Sequence, residues 1–306
     1  MSSILTITLN PAIDKSSSVE SLIHEKKLNC TRPKFEPGGG GINVSRAIKK
    51  LGGTSRAFYL AGGYTGKFFT EMLEKEDIDA ECVEIKNHTR ENLIIYDKST
   101  GLQYRFGMPG PLIYDNEWKT LLSEIESVSN VEYLVASGSI SEGIPEDIFA
   151  RIAHIAKRKK IKCIVDTSGS ALSMAVKENL FLIKPNLGEL NALADEKITV
   201  DNISSIADEL DLKNNCENIV VSMGAEGAFF IGKNEKILFT PPAVERKSTV
   251  GAGDSMVAGI VLSLANGKNI MNAVKYGVAS GTAATLNPGT ELCHLEDVEN
   301  LFQKIK

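Results

Sequence analysis

The sequence predicts an α/β fold: a mostly parallel central sheet with helices on both faces, and a small β-sheet attached to it. Three observations carry that prediction. From residue 133 onward, short apolar runs at 133–136, 163–166, 181–184 and 219–222 alternate with helical patterns, which is how a parallel sheet covered on both sides reads. The residues just past those runs, Ser137-Gly138-Ser139, Thr167-Ser168, Pro185-Asn186 and Met223-Gly224, are small or polar, and ligands of such sheets gather beyond the carboxyl ends of the strands. Finally, residues 91–108 alternate polar and apolar side chains, which suits a sheet wet on one side, and with the polar, short-period segment 15–36 they read as a lid.

In chain order, residues 4–9 form a β-rich run that stops at Asn10-Pro11 and leaves Asp14 in the loop or edge strand beyond. Lys27, in the polar stretch that follows, reads by itself as a solvated lysine. Gly38-Gly39-Gly40-Gly41-Ile42-Asn43 then leads into a helix with Val44, Ala47, Ile48 and Leu51 on one face and Gly52-Gly53 as its stop. Four glycines ahead of a helix cost backbone entropy, so a ligand approaching closely is one reason for them. A flexible linker is the alternative, disfavoured because the run abuts an amphipathic helix directly.

Residues 57–61 are the next strand. The following Gly62-Gly63-Tyr64-Thr65-Gly66-Lys67-Phe68 fails as a phosphate-binding loop, since Ala61 and Phe68 stand where G-x-x-x-x-G-K-[ST] needs Gly and Ser or Thr. Lys67 is therefore read as a surface residue. A hairpin is expected over 92–96 and 102–106, flanked by Arg90 and Arg105. Near the carboxyl end, residues 276–286 are dense in Ala, Ser, Gly and Thr, which suits close helix packing or a flat pocket for a base.

At 306 residues the chain can bury a full core, and 1–306 reads as a single domain with lid segments near 12–36 and 88–110. A net charge of -5 argues against nucleic acid as the partner, so an anionic substrate would need a local basic cluster. The five cysteines are scattered and never form C-x-x-C, as in a reduced, cytoplasmic chain without structural zinc. The amino end has no basic stretch ahead of an apolar one, so no signal peptide is expected. No apolar run approaches the roughly 20 residues that a membrane span needs.

The chemistry concentrates at Lys247-Ser248-Thr249-Val250-Gly251-Ala252-Gly253-Asp254, which runs straight into a helix marked by Val257, Ile260, Val261 and Leu264. Unpaired N–H groups and a positive dipole make a helix N-terminus a seat for phosphate. A carboxylate there repels anions, but it makes sense as the base that takes a proton from an attacking hydroxyl. The plain alternative is that Asp254 caps the helix. Asn186 and Glu189 likewise read either as a capping pair or as a carboxylate holding Mg²⁺ through water. Ser222-x-Gly224-x-x-Gly227 reads either as a hairpin turn or as backbone brought close to a phosphate or ribose.

Taken in order, Asp14, the Gly38–Gly41/Asn43 motif, Asn186/Glu189, Ser222/Gly224/Gly227 and Gly251–Asp254 resemble the PfkB (ribokinase-like) carbohydrate kinase family over essentially the whole chain. Thr8-Leu9-Asn10-Pro11-Ala12-Ile13-Asp14, Phe35-Glu36-Pro37 and Gln103-Tyr104-Arg105-Phe106 resemble its sugar-phosphate branch, of 6-phosphofructokinase type. That resemblance implies a ribokinase-like fold and ATP-dependent phosphorylation of fructose 6-phosphate at its 1-hydroxyl. Tagatose 6-phosphate or fructose 1-phosphate is the alternative substrate, and a sugar-phosphate sensor without turnover the alternative of another class.

It further implies Asp254 as the base and the amides of Gly251, Ala252 and Gly253 as an anion hole. Asp14, Gly39, Asn43 and Ser139 would contact the sugar, and Lys27, Arg90 and Arg105 its phosphate. Lys184, Asn186, Ser222, Gly224, Gly227, Val278 and Thr282 would line the ATP site. Glu189 would serve Mg²⁺, and Ser248, Val250, Ala284, Asn287, Gly289 and Glu291 a K⁺ loop. A homodimer through the lid is also implied. Two lid positions depart from that type: Asn29 stands where it has arginine and Ile23 where it has tyrosine.

Overall fold

In the computed structural model, described for residues 3–194, 197–203 and 215–306, a nine-stranded sheet forms the body. Its first strand, β1 (Ile4–Thr8), lies between β4 (Arg56–Gly62) and β8 (Tyr133–Ser137), and all three run parallel. β5 (Asp79–Ile85) pairs parallel with β4 at one edge. On the other side β9 (Lys162–Asp166), β10 (Leu180–Ile183) and β11 (Cys216–Ser222) continue the parallel set, and β12 (Ala228–Ile231) and β13 (Lys236–Phe239) close the edge antiparallel.

Alternation of side chains on the inner strands decides the layers. Leu5, Ile7, Leu134 and Ala136 face a core shared with α3 (Asp115–Ser127), α4 (Ile148–Lys159), α5 (Gly169–Ala175) and α6 (Leu187–Leu193). Ile4, Tyr133 and Val135 face the opposite core, built with α1 (Gly40–Lys50), α7 (Ala252–Ala265), α8 (Ile270–Thr285) and α9 (Leu295–Phe302). Ala57, Tyr59 and Ala61 of β4 pack against Phe69, Met72 and Leu73 of α2 (Gly63–Lys75). The small residues near the carboxyl end allow a close contact: a Cβ on Gly277 would meet the Ile260 side chain and come within 2.8 Å of Met256 O.

A second, four-stranded sheet has the order β3-β2-β6-β7, with β2 (Ala12–Val19), β3 (Lys34–Gly38), β6 (Arg90–Asp97) and β7 (Leu102–Phe106). The expected hairpin is its β6–β7 pair, Leu93 opposite Phe106. Two expectations are corrected, and one strand is added. Gly40 and Gly41 lie inside α1 rather than ahead of it, because a Cβ on Gly41 would strike Ile7 O and come within 2.6 Å of Thr8 Oγ1; the glycines let the helix start against β1. A strand over 79–85 had no counterpart in the sequence reading, because β5 is an edge strand whose Asp79, Glu81 and Glu84 break the apolar run. The linker alternative for Gly38–Gly41 falls with the first of these, since the run is ordered against the body.

Candidate active site

The amino end of α7 is set by Gly251, whose φ of 71° is a left-handed conformation that a side chain resists. A Cβ there would also run into Leu292. The capping alternative for Asp254 fails: Gly251 holds the capping position, Asp254 stands in the first turn, and no side chain bonds to the helix start. Instead Asp254 Oδ2 accepts from Asn43 Nδ2 at 2.9 Å, across 211 residues of sequence. Burial, reinforced by the negative charge of Asp166, raises the Asp254 carboxyl from 3.8 to about 6, against the opposing pull of Asn43 and Lys184.

Only the ionised carboxylate accepts a proton. kcat/KM is therefore expected to fall with unit slope below about pH 6, and that limb to be missing from Asp254→Asn; initial rates from pH 5 to 8 check both. Of the amides near the turn, Ala252 N–H makes a long 3.5 Å bond to Thr249 O. Gly251 and Gly253 precede the first residue that finds an intrahelical carbonyl, so their N–H groups stay open to an anion.

A cavity of about 690 Å³ opens directly on this turn. Asn186, Ser222, Gly224, Gly227, Val278 and Thr282, six residues expected at a nucleotide, line it together with Ala252 and Gly253. Its apolar walls include Pro241, Pro242, Val244 and Met256, which stand in no motif that would mark them beforehand. The hairpin-turn reading of Ser222-x-Gly224-x-x-Gly227 holds, since the segment is the turn between antiparallel β11 and β12, and the same turn borders the cavity. Asn186 and Glu189 form a reciprocal capping box, with Glu189 N to Asn186 Oδ1 and Asn186 N to Glu189 Oε2 both 2.9 Å.

Lys184, the seventh expected nucleotide residue, is buried at the end of β10 with Nζ 3.2 Å from Asp166 Oδ1. Asp166 was missed by the sequence reading. Nothing in Cys163-Ile164-Val165-Asp166 distinguishes a functional aspartate from a strand end, and only the neighbouring strand brings the lysine to it.

On the other side of Asp254, Asp14 Oδ1 accepts from Asn92 Nδ2 at 2.8 Å, and burial raises its pKa in spite of that bond. Gly38 packs under the Asp14 carboxylate, and Gly39 lies against Pro11, where a Cβ would come within 3.1 Å of the proline Cα. Ser139 is exposed and accepts from Asn10 Nδ2 at 3.0 Å. Arg90 spends Nη1 on Met108 O and Nη2 on Asn10 O, both at 3.0 Å, so part of its fork holds these two segments together. Arg105 is exposed and reaches Thr249 Oγ1 at 3.3 Å. That contact links the small sheet to the segment before Gly251, along a second cleft of about 880 Å³. Lys27 is exposed on the segment between β2 and β3, and no bond ties it to this cluster.

The 248–291 loops converge as well. Ser248 Oγ donates to Gly289 O at 3.0 Å, Asn287 N to Ala284 O at 3.2 Å, and Lys50 Nζ to Glu291 O at 2.5 Å. A carbonyl has two lone pairs, so these bonds leave capacity for a monovalent cation, and the donor set fits one. Val250 N donates to Ser248 Oγ at 3.2 Å. Among the described residues no group of three or more His, Cys, Asp or Glu could hold a metal.

A nucleotide-sized cavity therefore opens on a helix N-terminus whose first turn carries a half-buried carboxylate with a raised pKa. That arrangement defines a kinase that transfers a phosphoryl group to an alcohol. Comparison with known proteins agrees with this class. The profile of the pfkB family carbohydrate kinase matches residues 4–297, and the chain belongs to that family. It is 40% identical over 301 residues to ATP-dependent 6-phosphofructokinase isozyme 2 of Escherichia coli (strain K12), covering 98% of this chain and 97% of that protein. The crystal structure of phosphofructokinase-2 from Escherichia coli in complex with potassium superposes with a TM-score of 0.94, at 41% identity and 99% coverage of both chains. The same protein in complex with fructose-6-phosphate gives a TM-score of 0.92 at 39% identity, again over 99% of each chain.

Proposed function

We propose that this kinase phosphorylates D-fructose 6-phosphate at the 1-hydroxyl, using ATP with Mg²⁺, to give fructose 1,6-bisphosphate. The observation that carries the reading is the Asp254 carboxylate, bonded by Asn43 Nδ2 at 2.9 Å in the helix turn that opens on the nucleotide cavity, with Asp14 among the charges acting on it. Asp254 takes the proton of the sugar hydroxyl, and the open amides at the start of α7 receive negative charge. Likeness to a relative that carries the 6-phosphofructokinase name over nearly its whole length supports the substrate choice. Glu189 would serve the Mg²⁺ and the carbonyls near Gly289 a K⁺ ion, which supplies fixed positive charge beside the anion hole.

In this reading the chain works as one unit, with the four-stranded sheet as its lid and Arg90, Arg105 and Lys27 supplying positive charge for the sugar phosphate. The same sheet is the proposed face of a homodimer, supported by its exposed Leu102, Tyr104 and Phe106. The setting proposed is the cytoplasm; among the described residues no helix is long and apolar enough to cross a membrane.

The test is kcat/KM for fructose 6-phosphate, tagatose 6-phosphate and fructose 1-phosphate on one preparation. Fructose 6-phosphate is expected to lead by at least about tenfold, since a site built to bond a hydroxyl discriminates strongly against a misplaced one. A preference for either rival would reassign the substrate, and absence of ADP release with all three would make the protein a sensor.

A further inference from the structure

Lys184 and Asp166 end adjacent parallel strands, with Ile183 paired to Val165 and Lys184 N bonded to Val165 O at 3.4 Å. The lysine is 6% exposed, and its ammonium lies against the first turn of α7: a Cβ on Gly253 would stand 3.2 Å from Nζ and 3.6 Å from Cε. Asp166 is fixed in turn by its own backbone, which pairs with Ser137 and accepts from Gly138 N at 2.9 Å. A lysine has four rotatable bonds, and an ammonium needs an anchor to act as a charge at one place. The only carboxylate within ion-pair distance of Nζ among the described residues is that of Asp166.

We propose that Asp166 is a positioning residue that fixes the Lys184 ammonium over Gly253, where it neutralises the phosphoryl group passing from nucleotide to sugar. The inference rests on the kinase reading, not on the identity of the sugar. In the step, the sugar hydroxyl oxygen bonds to the γ-phosphorus, the bond to the β-phosphate oxygen breaks, the electrons leave with ADP, and the hydroxyl proton goes to Asp254. Negative charge spreads over the transferred group midway, and a fixed cation lowers the energy of that arrangement more than that of bound ATP.

The charges around the base make the role separable from plain structural support. Asp254 is faced by Asp166 from β9, Lys184 from β10, Asp14 from β2 and the Asn43 amide from α1. Glu189 acts on Lys184 from α6. Removing the Asp166 charge should let Asp254 ionise more easily, and removing the Lys184 charge should hinder it.

Three proteins test the proposal: wild type, Asp166→Asn and Lys184→Met. Both variants are expected to lose kcat by about 10²-fold, the scale for one charge contact to a transition state. The acid limb of kcat/KM is expected to move down by about one pH unit in Asp166→Asn and up in Lys184→Met. The substrate phosphates titrate alike for all three proteins, so differences between them are the readout. Binding of ADP with aluminium fluoride and Mg²⁺, followed by calorimetry, needs no sugar turnover. It is expected to weaken at least tenfold more than the binding of ADP alone does in both variants. Acid limbs that coincide in all three proteins would overturn the proposal, as would unchanged aluminium fluoride affinity. So would recovery of Asp166→Asn turnover at high Mg²⁺, which would make Asp166 a metal ligand. Wild type that binds ADP–aluminium fluoride but turns over none of the three sugar phosphates would sink the substrate reading alone.

Discussion

Asp254→Asn is expected to lower kcat by about 10²–10⁴ while ATP affinity stays within a few fold, because the change removes the proton acceptor and keeps the shape. Steady-state rates and calorimetry with ATP check the two halves separately. Near-normal turnover would take the role away from Asp254. The same change should raise stability. The folded carboxyl titrates at about 6, above its ordinary 3.8, so folding favours the protonated form and the wild type loses stability as pH rises through that window. The loss is about 3 kcal/mol once the pH exceeds both values, taking about 1.4 kcal/mol per pH unit. Asparagine has no such ionisation. The variant should melt several degrees higher at pH 8, with the gap closing toward pH 4 in calorimetric scans.

Arg46→Met should cost about 3–5 kcal/mol of stability, the scale for breaking one side of a buried ion pair. The Arg46 side chain is 4% exposed; Nε and Nη2 donate to the two Glu76 oxygens at 2.6 and 2.7 Å, and Nη1 donates to Pro37 O at 2.9 Å. Nη2 also lies 3.8 Å from Glu36, whose carboxylate would be left buried with only the exposed Lys34 to answer it. The residue thus fastens α1 to the end of α2 and to the small sheet. A urea midpoint unchanged in the variant would show that these bonds only offset the cost of burying the charges.

How much was legible follows from what each residue had to signal alone. The inner strands were readable because burial on both faces makes them continuous apolar runs, as in β8 and β10. The edge strand β5 was not, because Asp79, Glu81 and Glu84 interrupt its apolar residues on both faces. At the site, Asp254, Asn43 and the cavity residues sit in motifs with glycines that mark close approach. Asp166, Asn92 and Asn10 sit in ordinary strand and loop sequence, and their partners Lys184, Asp14 and Ser139 come from other segments. Arg46 follows Asn43 of the glycine motif by three residues, yet its partner Glu76 lies 30 residues on. Lys27 shows the opposite case: the resemblance nominated it, and the fold leaves it without a bond to the cluster.

The bond between Asn43 and Asp254 has a consequence for biosynthesis. With 211 residues between them, at about 5–20 residues per second a ribosome needs about 10–40 s to reach the second after making the first. Throughout that interval the nascent polypeptide has the glycine-led helix but neither the base nor the helix that carries it. A nascent chain that has not reached Asp254 lacks the proposed base, so phosphoryl transfer is expected only once α7 has been made.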